Sequence, residues 1–182
     1  RYADVMVDRA TAAADRFTAG ETVDVHAELT RTTLEILLDC MFGANVDFEE
    51  LGLYDTVETI QTPLEPDNQP VTLFAPDWLP VPMLRRAERA RGELRETVTD
   101  ILEQRRESDA DRVDLLSMLL ASDTAMADEQ IRDEMLTFLI AGHETTALTL
   151  TYTLDLLSRN PEAERRIHAD LDEPLSGRPT IE

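Results

Sequence analysis

The chain has 182 residues, with 38 acidic side chains against 17 basic ones and a formal net charge of −21. Every base is arginine, and no lysine occurs. This balance excludes nucleic acid as a partner, because phosphate contacts need clustered positive charge. Hydrophobic residues make up 42% and fall in periodic runs, which excludes a disordered chain.

The elements read as helices almost throughout. Tyr2 to Thr18 places Val5, Met6, Ala10, Ala13 and Phe17 close to a 3.6-residue period, and Gly20 stops it. Thr22 to His26 alternates and predicts at most one short strand. Leu29 to Phe42 predicts a second helix ended by Gly43, and Glu49 to Thr62 a third. Residues 63 to 82 hold Pro63, Pro66, Pro70, Pro76, Pro80 and Pro82, a spacing that predicts no regular helix. Leu73, Phe74, Trp78 and Leu79 lie in this stretch, so it is expected to pack, as a flap over a site or a stiff connector. Leu84 to Glu107 predicts a long amphipathic helix, with Arg89 and Glu93 paired on its wet side. A short helix follows over Asp114 to Ala121. A central helix runs from Asp128 to about Arg159, roughly 45 Å at the helical rise. Asn160-Pro161-Glu162 opens a last helix, with Asn160 as its cap.

An acidic, lysine-free surface points to a salt-loving source, where hydrated carboxylates keep a protein dispersed. A high-GC genome that favours arginine is the alternative. The one cysteine, Cys40, allows no disulfide within the chain and no CxxC metal site. No signal peptide is visible. The longest apolar run, Met135 to Ala141, is far short of the ~20 residues of a membrane span. A cytoplasmic protein is expected.

The central helix carries the chemistry. Ala141-Gly142-His143-Glu144-Thr145-Thr146 sets a glycine, an acid and two threonines into an apolar helix. Glycine costs about 1 kcal/mol there relative to alanine, threonine bonds back to the preceding turn, and a buried acid needs a partner. Breaking local rules this densely points to a site. A glycine lets a flat group approach the backbone. A threonine three residues on has a hydroxyl that both accepts and donates. Bonding to the Ala141 or Gly142 carbonyl would open the helix into a groove.

His143-Glu144-x-x-Ala147 begins like the zinc-protease motif but has no second histidine at i+4, and His26 and His168 do not replace it. No metal ligand is expected in this chain. His143 reads as a filler or donor beside the groove, and Cys40 as a small buried apolar residue.

The hexapeptide resembles the oxygen-binding segment of the cytochrome P450 monooxygenases, A/G-G-x-D/E-T-T/S. Val23 to Thr30, Thr33 to Leu37, Met41-Phe-Gly43, Asp114 to Ala121, Met126 to Glu134 and Leu156 to Glu162 are similar to family stretches in the same order. The resemblance implies a mainly α, partial P450 domain over 1–182, from helix D to helix J, with a long central helix packed by others. The N-terminal helices, the E-x-x-R helix and the F-x-x-G-x-R-x-C-x-G thiolate loop lie outside these residues, and Cys40 has no such setting.

It further implies haem b, with Ala141, Gly142 and Thr145 against its face, Thr145 steadying oxygen and an ordered water, and Glu144 feeding protons. The partners implied are O2, a small hydrophobic substrate, and a ferredoxin or flavoprotein reductase. The chain alone, without the thiolate, is expected to be inactive. The alternative is a truncated, non-catalytic remnant or an acidic helical interaction module.

Overall fold

The structure is a computed structural model that describes residues 2–43, 50–65, 67–76, 79–108, 113–122 and 126–172. The helices are α1 (Tyr2–Arg16), α2 (Val25–Phe42), α3 (Leu53–Gln61), α4 (Gln69–Phe74), α5 (Pro82–Glu107), α6 (Leu115–Leu120), α7 (Asp128–Ser158) and α8 (Pro161–Asp172), with a 3-10 turn at Thr62–Leu64. The chain divides into two compact units, Arg1–Cys40 with Ala141–Glu182, and Met41–Ile140.

In the first unit α1 lies antiparallel to α2. Arg9 binds Asp39 at 2.7 Å and Glu35 at 3.6 Å, while Arg16 binds Glu28 at 2.8 Å and the Thr32 hydroxyl at 3.1 Å. Polar pairing carries this contact, because only Ala13 of α1 is buried. No strand forms among the described residues. Asp24, inside the alternating stretch, instead caps α2, accepting from the Ala27 amide at 3.0 Å. The helix therefore starts at Val25, four residues before the periodic pattern shows it. Beyond the motif, α7 and α8 expose Tyr152, Leu154, Leu156, Ile167 and Leu171.

The second unit is built on α5. Ala87, Ala90, Leu94, Val98, Ile101 and Leu102 form its buried stripe, and α3 packs on it with Leu53, Val57 and Ile60. Each fully buried leucine, valine or isoleucine here contributes about 1.5–3 kcal/mol, and the two alanines less. Arg95 to Asp133 at 2.5 Å, and Arg106 to Asp128, tie the surface of α5 to the start of α7. Exposed pairs of this kind add little. Arg89 does not pair with Glu93; its Nε donates to the Arg85 carbonyl.

The proline-rich stretch corrects two expectations. A short helix, α4, does form, because Pro70 falls in its first turn, where a missing N–H costs nothing. Its apolar side chains do not pack: Leu73 is 71% and Phe74 82% exposed. The segment is held by polar bonds instead, Thr72 Oγ1 to the Pro63 carbonyl and Asn68 Nδ2 to the Thr62 carbonyl. Trp78 lies outside the described residues.

The unit also contains a buried clasp. Arg105 and Asp114 are 8% and 1% exposed. Arg105 Nη1 reaches both Asp114 oxygens at 2.7 and 2.6 Å and Ser117 Oγ at 2.6 Å, and Nη2 donates to the Phe42 carbonyl at 2.7 Å. Asp114 also caps α6 through the Ser117 amide at 2.8 Å. Burial alone would raise the Asp114 carboxyl's pKa; the Ser117 amide, the Arg105 guanidinium and the Ser117 hydroxyl together hold it below the ordinary value. Gly43, at φ +81°, lets the chain leave α2 beside this clasp, with its missing Cβ 3.1 Å from Asp114 Oδ2.

Candidate functional site on the central helix

α7 is continuous through the motif, with no break at Gly142. At 100° per residue, positions 143 and 147 share one stripe, and 141 and 145 share the opposite one. The structure buries the first and opens the second. His143 is 2% exposed and Ala147 is fully buried, whereas Ala141, Thr145, Thr149 and Tyr152 are exposed along one line. Glu144 is half-buried between the two stripes. His143 thus lies on the far side of the helix from Thr145, as packing and not beside a groove.

Gly142 has a packing reason of its own. A Cβ built there would meet Leu37 Cδ2 of α2 at 3.3 Å. The absent side chain makes room for a neighbouring helix. Thr33, also on α2 and 6% exposed, places its hydroxyl 3.1 Å from the His143 carbonyl. Thr33 and Leu37 bound a stretch that resembles the family, but nothing in the sequence marks either one as a neighbour of the motif.

The threonines of α7 bond back to carbonyls one turn earlier. Thr149, Thr151 and Thr153 do so at 2.7–2.8 Å. Thr145 reaches the Ala141 carbonyl only at 3.3 Å, and Thr146 reaches Gly142 at 3.1 Å. A neutral O–H···O bond is strongest near 2.7–2.8 Å. The Thr145 hydroxyl is therefore the least committed of the series.

Along the open stripe Ala141 offers a methyl and Thr145 a methyl and a loosely held hydroxyl, with exposed Phe138 before them and Tyr152 beyond. No group of three or more histidine, cysteine, aspartate or glutamate side chains that could hold a metal occurs among the described residues. Cys40 is half-buried within α2, short of the fully buried position expected of it. No described helix is long and apolar enough to cross a membrane.

Comparison with known proteins identifies the family of the chain. The chain is 33% identical to cyclooctat-9-en-7-ol 5-monooxygenase of Streptomyces melanosporofaciens, over 100% of this chain and 41% of that protein. It is 33% identical to pentalenene oxygenase of Streptomyces avermitilis, over 98% of this chain and 40% of that protein. The crystal structure of the cytochrome P450DA heme domain superposes with a TM-score of 0.74 at 26% identity, covering 98% of this chain and 40% of that one. The chain thus spans about two fifths of the length of the curated relatives it matches. The family model for cytochrome P450 matches residues 1–182, and the chain belongs to the cytochrome P450 family, whose cofactor is haem.

Proposed function

We propose that the protein containing this chain is a haem-thiolate monooxygenase, placing one atom of O2 into a small hydrophobic substrate and using electrons from a ferredoxin or flavoprotein reductase. The observation that carries the reading is the open stripe of Ala141 and Thr145, opposite buried His143, in a chain that matches the family along its whole length. The relatives named for cyclooctat-9-en-7-ol and pentalenene support a hydrophobic substrate. We place the protein in the cytoplasm of a salt-adapted organism, on the strength of its charge of −21.

Haem, when bound, supplies dioxygen binding and electron transfer. The chain's own residues supply space and protons. Ala141 keeps the helix surface low enough for a ring to lie against it. The Thr145 hydroxyl, held by a bond of only 3.3 Å, turns outward to hold dioxygen or an ordered water. Glu144, next in the chain and half-buried, reaches between interior and solvent, and its carboxyl passes protons toward that water. Gly142 and His143 keep the helix seated on α2, so the stripe stays aimed.

Isotope labelling tests the reaction. With labelled O2, the haem-loaded protein should place one labelled atom in the product and the other in water. Label in neither product nor water, or two atoms in the product, rejects monooxygenation. Residues 1–182 alone should not give the thiolate-type carbon monoxide spectrum, since their one cysteine, Cys40, sits inside a helix.

A further inference from the structure

Three successive carbonyls of the motif each face a hydroxyl. Ala141 O has Thr145 at 3.3 Å, Gly142 O has Thr146 at 3.1 Å, and His143 O has Thr33 at 3.1 Å. The first two donors belong to α7, and back-bonding threonines recur further along the same helix. The third comes from another helix and is buried. In a regular helix the His143 carbonyl already accepts the Ala147 amide. A second donor on that oxygen competes with the amide and loosens the turn that contains Glu144 and Thr145.

The Thr33 hydroxyl has one proton and three carbonyls in reach. Leu29 and Thr30, on its own helix, lie at 2.8 and 3.1 Å, and His143 at 3.1 Å. Rotation about one bond moves the proton from α2 to α7 without moving the oxygen. The position is 6% exposed, so solvent does not replace either acceptor. Leu37, one turn along, fixes the spacing by filling the place of a Gly142 side chain.

We propose that Thr33 is a positioning residue for the oxygen site: its hydroxyl shares the His143 carbonyl with the Ala147 amide, and this keeps the turn under Glu144 and Thr145 ready to open. The proposal rests on the monooxygenase reading of that site. It acts through the α7 backbone and requires no contact between Thr33 and haem or substrate.

Two readouts test it in the haem-loaded protein. The first is hydrogen exchange at the Ala147 amide. Thr33→Val removes the hydroxyl at nearly constant volume and should slow exchange there about threefold to tenfold, the worth of one ordinary hydrogen bond. Thr33→Ser should restore the parent rate. A merely structural role would do the reverse, speeding exchange along α2 and α7 as packing loosens. Thr33→Ala carries the same test if valine disturbs folding.

The second readout is the share of consumed O2 released as hydrogen peroxide, with Thr145→Ala as the reference. Thr33→Val should raise that share in the same direction as Thr145→Ala, and Thr33→Ser should not. If Thr145→Ala raises peroxide while Thr33→Val changes neither peroxide nor Ala147 exchange, the role of Thr33 is rejected and the monooxygenase reading stands. If Thr145→Ala itself leaves peroxide unchanged, that reading fails instead.

Discussion

Two polar clusters in this chain break the same rule in opposite ways. Arg105 and Asp114 are charges taken out of water, and both Nη atoms of the one and both oxygens of the other are engaged, by each other, by Ser117 and by the Phe42 carbonyl. Thr145, in the motif, faces solvent with a single bond of 3.3 Å. A polar group set into an apolar helix can serve the fold or serve chemistry, and the number of partners it has already made separates the two. The charges of the closed cluster already satisfy one another; the open hydroxyl is held by one long bond.

The largest effect is expected where the clasp is cut. Arg105→Ala leaves the Asp114 carboxylate buried without its counter-ion and should cost about 3–5 kcal/mol in denaturant unfolding. A much smaller loss would mean that the cluster is not closed. Replacing both partners by apolar residues of similar volume should recover most of the loss.

Acid sharpens the same point. The folded Asp114 pKa lies below its unfolded value of about 3.9. Its contribution is therefore complete above that value and is lost as pH falls through the folded pKa. The stability gap between the parent and Asp114→Asn should stay constant from neutral pH down to about 5 and narrow below about 4. A gap that stays level to lower pH would show that Asp114 is not held by its partners.

Gly43→Ala comes next, at about 1–2 kcal/mol, from a left-handed φ of +81° and a contact 3.1 Å from Asp114 Oδ2. Gly142→Ala should be nearly neutral in unfolding experiments. The contact at 3.3 Å with Leu37 costs something, and the gain in helix propensity of about 1 kcal/mol offsets it. Adding Leu37→Val should make the alanine net stabilising.

Much of the fold was legible in the sequence. The start of α8 at Pro161 follows from Pro161 and Glu162, although the Asn160 side chain turns back to the Leu156 carbonyl at 2.7 Å and so closes α7. α5 follows from its amphipathic pattern, and the central helix, expected over Asp128 to about Arg159, spans Asp128–Ser158. The start of α2 was hidden because a cap, Asp24, stood in a stretch that alternates like a strand. The exposure of Leu73 and Phe74 was hidden because composition does not say whether a loop has a core to enter. In the motif, Gly142, Glu144 and Thr145 stood out by local rule-breaking, and Ala141 entered only through the family resemblance. Thr33 and Leu37 did not stand out, because contacts between helices remote in sequence leave no periodic trace. Gly142 stands out in the sequence as an oddity, but its close approach to Leu37 does not show there.

The smallest stability effect and the most direct test belong to one substitution. Thr145→Ala removes an exposed, weakly bonded hydroxyl, so it should shift unfolding stability by less than about 0.5 kcal/mol. The decisive measurement is the ratio of hydrogen peroxide to oxygenated product in the haem-loaded Thr145→Ala protein, read beside its stability. A raised peroxide share with unchanged stability is the result expected of an open catalytic hydroxyl. An unchanged ratio with a loss of stability would make Thr145 one more structural threonine of α7 and would contradict the site.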